Sequence, residues 1–211
     1  MYRLPLLAIL DRVEATLEER RVELDGLDAA LGDGDHGTNL ARAIETLRRE
    51  HGELAAMPLG DALREIARVM REEMGGDGGR MYAALLAGMA EPAPADGDLD
   101  LATAIAMFDA GLAALRREGG LGVGAKTMLD VLVPVGEALH RHRNEPDPEA
   151  LGAYLVAAAG HALHHTRDLR AGWGRAAALG DATVGHIDPG ACSAALVVGA
   201  VIDALAERYR Q

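Results

Sequence analysis

The chain has 211 residues, 49% apolar but only 3% aromatic, a net charge of −12 and a single cysteine. That balance makes nucleic acid and anionic membrane poor partners and rules out an intrachain disulfide. Ala, Leu and Val dominate, which favours close-packed helices over a β-sandwich. The length suits one compact domain, residues 1–211, and the lone cysteine suits a reducing compartment; the expected localisation is cytoplasmic.

The predicted elements are all helical. Leu6, Leu10, Val13 and Leu17 keep helical spacing over about 4–24, with Pro5 in the first turn. The run 4–10 is short and meets Asp11 and Arg12 at once, so it does not read as a leader peptide. No run approaches the length of a membrane span. An acidic loop follows. It places Asp28, Asp33 and Asp35 within eight residues, then leads through His36, Gly37, Thr38 and Asn39 into a second helix over about 37–50. Three acids this close repel one another, and a bound divalent cation removes the repulsion. Magnesium takes a few carboxylates together with phosphate and water, so the expected site is a magnesium centre holding a polyphosphate. Turn and helix-cap roles for Asp and Gly are the plainer alternative. An EF-hand starting at Asp33 is excluded, because its fifth, sixth and twelfth positions hold Gly37, Thr38 and Ile44.

Pro58 opens a third helix, with Leu59, Leu63, Ile66, Met70 and Met74 on one stripe. It ends in Gly75-Gly76-Asp77-Gly78-Gly79, directly ahead of an apolar helix over 81–90. A glycine loop feeding a helix N-terminus suits an anion, and equally suits a flexible connection. Residues 91–98 read as a surface loop and about 99–117 as a fifth helix. The segment 119–127 is not a P-loop, since Ala125 stands where that motif needs glycine and no strand precedes it. Lys126 is the only lysine of the chain, a compact point charge among arginines.

A sixth helix spans about 128–143 with Pro134 inside, and His140, Arg141, His142 and Arg143 at its end suit the helix dipole. A seventh runs to about Asp168; its His161, His164 and His165 read as polar-face residues rather than ligands. The segment 172–190 is long for a connector and carries Trp173, Arg175 and His186, which points to function. Asp188 and Pro189 then start the final helix as N-cap and first residue. The count is eight helices, with no run that demands a strand.

The acidic loop, Gly-Ala-Lys-Thr-Met-Leu-Asp over 124–130, Gly-Arg-Ala over 174–176 and Gly-His-Ile-Asp-Pro-Gly-Ala over 185–191 occur together in this order. With them the chain resembles the nucleotide-binding L subunit of dihydroxyacetone kinase, over nearly its whole length. That subunit corresponds to the C-terminal domain of the single-chain, ATP-dependent kinases. The resemblance implies an all-α barrel of eight antiparallel amphipathic helices with the nucleotide at one mouth. It implies two magnesium ions held by Asp28, Asp33 and Asp35 and bridging the phosphates of ADP or ATP. It implies nucleotide contacts from His36, Gly37, Thr38 and Asn39, and from Asp77 and Gly78 in the glycine loop. Gly119 and Met128 fall near the base, and Arg175, Asp188, Pro189 and Gly190 in a closing segment.

The resemblance further implies a K-type partner subunit that captures the substrate carbonyl on a histidine. Two versions stay open. In one, a phosphotransferase-system phosphocarrier (the M subunit) recharges bound ADP; in the other, ATP exchanges at each turnover. The ketose, dihydroxyacetone or a related small sugar, also stays open, as does the oligomeric state, with a homodimer compatible. A degenerate nucleotide-binding regulator and a kinase module for another substrate are the alternatives. The chain departs from the family pattern at Asp77-Gly78-Gly79-Arg80, where a small residue, Ser, Gly and Pro are usual, and at Ala125, where Asp is usual. Arg175 and Lys126 are the two candidates for an added phosphate-binding cation.

Overall fold

Helix α1 (Leu6–Ala29) buries Ile9, Val13, Leu17 and Leu24 along one face. It runs five residues past its predicted end, so Asp28 belongs to its last turn rather than to a loop. The structure, a computed structural model, describes residues 2–3, 5–95, 98–120 and 122–209. Position 4 of the first predicted helix, positions 96–97 of the predicted surface loop and position 121 of the glycine-rich segment lie outside the described residues.

After α1 come α2 (His36–Arg49), the short α3 (His51–Ala56) and α4 (Leu59–Val69), which continues as a π-turn over Met70–Met74. Next are α5 (Gly76–Ala90) and α6 (Leu101–Gly119). Helix α6 is capped by Asp100, which accepts the Thr103 N–H at 2.7 Å, and is closed by Gly120 in the left-handed region. Helix α7 (Leu129–Arg141) carries Pro134 inside, as predicted. Helix α8 (Pro148–His165) passes into a 3-10 turn, Thr166–Asp168, and a second 3-10 run, Arg175–Thr183, precedes α9 (Pro189–Tyr209).

The all-α expectation holds. The count differs: nine α-helices lie among the described residues. The additional one, α3, has six residues and buries only Leu54, too short a stretch to show a periodicity. One short strand pair is present, although no run in the sequence demands it. Tyr2–Arg3 (β1) pairs antiparallel with Asp98–Leu99 (β2), Tyr2 opposite Leu99. Two residues cannot display alternation.

Each long helix packs on its sequence neighbour. Helix α1 lies on α2, α2 on the π-turn, α4 on α5, α5 on α6, α6 on α7, α7 on α8 and α8 on α9, and α9 returns to α1. Leu24, Leu40, Leu47, Leu54, Val69, Leu115 and Leu129 are wholly enclosed between them. The α5–α6 crossing is close because it is built on small residues; a Cβ at Gly88 would stand 2.6 Å from the Ala114 Cβ and 2.7 Å from the Ala110 carbonyl oxygen.

Helix α9 corrects one further expectation. Over Pro189–Glu207 it has 19 residues and a mean hydropathy of 1.7, long and apolar enough to cross a membrane by length and composition alone. In this fold it packs against α1, α7 and α8.

Candidate metal centre

Asp28 folds the acidic loop onto the end of α1. Its Oδ2 accepts the N–H groups of Gly34 and Asp35, each at 3.0 Å. That turn brings Asp33 and Asp35 back over Asp28, and one carboxylate oxygen from each lies within 4.8 Å of the other two. The donor set is oxygen only, with up to three negative charges, and its spread matches what a hard divalent cation takes. Asp28, Asp33 and Asp35 therefore fit magnesium on chemistry and on spacing.

Like charges at this distance need a counter-charge, and the protein supplies one. Arg175 Nη1 donates to Asp33 Oδ2 in a direct ion pair. The guanidinium holds the Asp33 carboxyl below the usual carboxylate range. Gly174 turns the chain to present Arg175, with φ +63°, and a Cβ there would stand 3.1 Å from Asp77 Oδ2. The positive φ favours glycine here, and the close Asp77 carboxylate leaves little room for a side chain. The closing segment and the glycine loop thus meet beside the acidic cluster.

Asp77 and Gly78 open α5, where the first N–H groups lack partners inside the helix. The departures from the family pattern pair among themselves. Arg80 donates to Glu118 Oε1 at 3.0 Å and to Asp77 Oδ1 at 3.4 Å, joining the start of α5 to the end of α6. Gly119 is the next residue along, in the last turn of α6, and it comes to this end of the molecule through Glu118.

His36 begins α2 and hydrogen-bonds Ser193 of α9 at 2.9 Å. Ser193 Oγ has one proton, which it donates to the Gly190 carbonyl at 3.0 Å, and it accepts the Tyr82 hydroxyl at 2.9 Å. Hence His36 donates through Nε2, and Nδ1 is left as the acceptor nitrogen. Burial lowers the His36 pKa and keeps the ring neutral. Gly37 is buried where a Cβ would clash with the Arg21 carbonyl, so α2 lies close on α1. Thr38 is engaged by Asp25, which accepts its N–H at 2.9 Å and its hydroxyl at 2.7 Å. Asn39 stands half-buried beside it, its N–H on the Asp35 carbonyl at 2.8 Å.

Asp188 caps α9 as predicted, accepting the Ala191 N–H at 2.7 Å, with Pro189 as the first helical residue. Its carboxyl is enclosed, and that burial pushes its pKa up to about 7; the Ala191 N–H and Lys126 pull it back. A Cβ on Gly190 would stand 3.2 Å from Asp188 Oδ2 and 3.9 Å from the Met128 N, so α9 and α7 begin side by side. Met128 itself is buried in the main core.

Lys126, one of the two candidate cations, is engaged elsewhere. It is 3% exposed. Its ammonium donates to the carbonyls of Thr166 at 2.7 Å, His186 at 2.5 Å and Leu169 at 3.1 Å. Of the two candidate cations, Arg175 is the one at the acidic cluster. The residues that sequence reasoning passed over are Asp25, Tyr82, Ser193 and Asp130. Asp130 accepts the N–H groups of Gly124 and Thr127 and folds the turn ahead of α7. His161, His164 and His165 stand in or near the last turns of α8, and all three are exposed, in line with the polar-face reading.

Residues 30–203 match the family model of the DAK2 domain. The chain is 35% identical over 186 residues to the ADP-binding subunit DhaL of a PEP-dependent dihydroxyacetone kinase 1 of Listeria innocua, covering 88% of each. It is 34% identical to a D-erythrulose kinase of Mycolicibacterium smegmatis, covering 92% of this chain and 34% of that one. Among solved structures it is similar to the dihydroxyacetone kinase from C. freundii in complex with AMP-PNP and Mg2+, with a TM-score of 0.70 and 26% identity. That match covers 96% of this chain and 34% of the other. The chain thus spans about a third of the two longer kinases.

Proposed function

The chain belongs to the DAK2 domain family, and from that footing we propose that it is the nucleotide-binding subunit of a dihydroxyacetone (or related small ketose) kinase. It holds ADP or ATP and passes the terminal phosphoryl group to a substrate carried by a separate K-type subunit. The observation that carries this reading is the convergence of Asp28, Asp33 and Asp35 within 4.8 Å at the place where Arg175 arrives from the closing segment.

Phosphoryl transfer needs positioning and charge neutralisation more than covalent help. Two magnesium ions on the three aspartates would clamp the phosphate oxygens and neutralise charge there. The chain's own groups do the rest. Arg175 adds a cation to the phosphate side of the cluster. The first N–H groups of α5, at Gly76, Asp77 and Gly78, and of α9, at Pro189 and Gly190 (proline contributing none), give fixed donors that need no reorganisation. Neutral His36, held by Ser193, offers Nδ1 as an acceptor. Met128 and Gly119 border the base.

The test is calorimetry of ADP and ATP binding, with magnesium and with EDTA, after a check for co-purified nucleotide. Magnesium-dependent binding supports the subunit reading, and ADP retained through purification favours the version recharged by a phosphocarrier. No binding in either condition overturns it and moves the chain toward the degenerate regulator of the same fold.

A further inference from the structure

Lys126 is buried, yet among the described residues it forms no ion pair with a side-chain acid. Its three ammonium donors go to three backbone carbonyls, those of Thr166, Leu169 and His186. These carbonyls come from the two ends of a single excursion of the chain, 166–188. The excursion is zipped at its base by further bonds. Gly185 N–H reaches the Arg167 carbonyl at 2.8 Å, Ala171 N–H reaches Thr183 Oγ1 at 2.9 Å, and Asp188 N–H reaches Thr166 Oγ1 at 3.3 Å. Gly172 N–H docks it on the Ala125 carbonyl at 3.0 Å. What projects beyond the zipped base is the turn with Gly174 and Arg175, the latter on Asp33.

Lys126 also adopts φ +60°, alone among the described non-glycine residues in the left-handed region. A backbone in that region costs free energy unless its surroundings hold it there. Here the ammonium ties hold it. Three convergent carbonyls match the tetrahedral ammonium and its three protons; a planar guanidinium fork cannot meet them in the same way. This gives a physical reason for lysine at this one position in a chain whose other side-chain cations are arginine and histidine.

We propose that Lys126 is a positioning residue for the nucleotide site: it fixes the base of the 166–188 excursion and thereby sets where Arg175 and Asp188 stand, without itself touching the nucleotide. The proposal rests on the nucleotide-subunit reading above. It assigns the lysine a role through Arg175, in place of contact with a phosphate.

The experiment uses the full chain with Lys126→Arg, Lys126→Met, Arg175→Gln and the double variant Lys126→Arg/Arg175→Gln. Amide hydrogen exchange is followed in the nucleotide-free protein, and magnesium–ADP affinity by calorimetry. In Lys126→Arg, exchange at Ala171, Gly172 and Gly185 rises by about tenfold, while α4 and α5 amides keep their protection. Affinity falls about tenfold in the parent background and by no more than about twofold once Arg175 is already glutamine. Lys126→Met shows the same pattern; where it does not fold, Lys126→Arg carries the test.

Unchanged exchange together with unchanged affinity in Lys126→Arg overturns the proposal. So does an equal loss of affinity in both backgrounds, because the lysine then acts independently of Arg175. Full affinity in Lys126→Arg with loss in Lys126→Met also overturns it, in favour of a direct charge contact. Failure of the unsubstituted protein to bind magnesium–ADP is a distinct result: it overturns the nucleotide reading and the positioning role with it, whatever the exchange data show of the strap.

Discussion

Arg175 and Asp33 stand 142 residues apart in the chain and share an ion pair at the acidic cluster. The pair joins the closing segment to the loop after α1. It sets a cation beside the cluster and offsets the crowding of three carboxylates.

Removing one of those carboxylates tests the cluster. Asp33→Asn or Asp35→Asn weakens magnesium-dependent ADP binding by more than the roughly 10–100-fold that outer-shell changes around a metal cost. The helical circular dichroism stays as it was. Calorimetry reads the first and spectroscopy the second; unchanged affinity sinks the metal assignment.

The Arg175→Gln variant separates the guanidinium from the carboxylates. The Asp33 pKa then climbs back toward the ordinary carboxylate range, because the arginine is the largest cause of its lowering. Carboxyl chemical shifts followed by NMR between about pH 2 and 6 show the change. ADP affinity drops by about 10–100-fold, the worth of one charge-assisted hydrogen bond.

Cys192 is buried, and burial followed by the nearby Glu23 charge pushes its thiol up to about 11. The folded protein therefore keeps this proton at pH values where the unfolded chain gives it up. Native-state binding of the extra proton means that stability falls as pH rises through roughly 9 to 11. Urea titrations across that window show the decline, and Cys192→Ala flattens it. At pH 8 the native thiol reacts slowly with a disulfide reagent and the denatured thiol quickly.

Gly88→Ala is directed away from the site. Its Cβ meets Ala114 and the Ala110 carbonyl of α6 inside 3 Å, and backbone cannot move aside cheaply. The expected cost is about 1–3 kcal/mol in urea unfolding. ADP binding per folded molecule is retained. A stability equal to the parent's means that the α5–α6 crossing yields to a methyl group at Gly88.

The three aspartates were legible because their repulsion is local: the whole problem lies inside eight residues. Asp188 and Pro189 were legible for the same reason, since a cap and the first helical residue are neighbours. The role of Lys126 was not legible. Its partners lie 40, 43 and 60 residues away, and a lone lysine in a glycine-rich stretch points as readily to a phosphate as to three carbonyls. Asp25 is thirteen residues before Thr38 and looks like one more acid on the surface of α1. The Tyr82–Ser193–His36 chain joins three helices and leaves no spacing to find. Asp130 did leave a signal, an acid three residues after Thr127 at a helix start, the spacing at which a side chain reaches back to a backbone N–H.

The Arg12–Glu207 ion pair ties the early part of α1 to the late part of α9. At their other ends the same two helices carry Asp28 and Asp188, so they run in opposite directions. Asp28 stands 22 residues beyond Leu6, a rise of about 33 Å along α1. Anything joined ahead of α1 or behind α9 thus leaves from the far pole of the molecule. A tether needs on the order of ten extended residues merely to travel back to the carboxylates. A short tether holds its passenger away from the acidic cluster of its own copy.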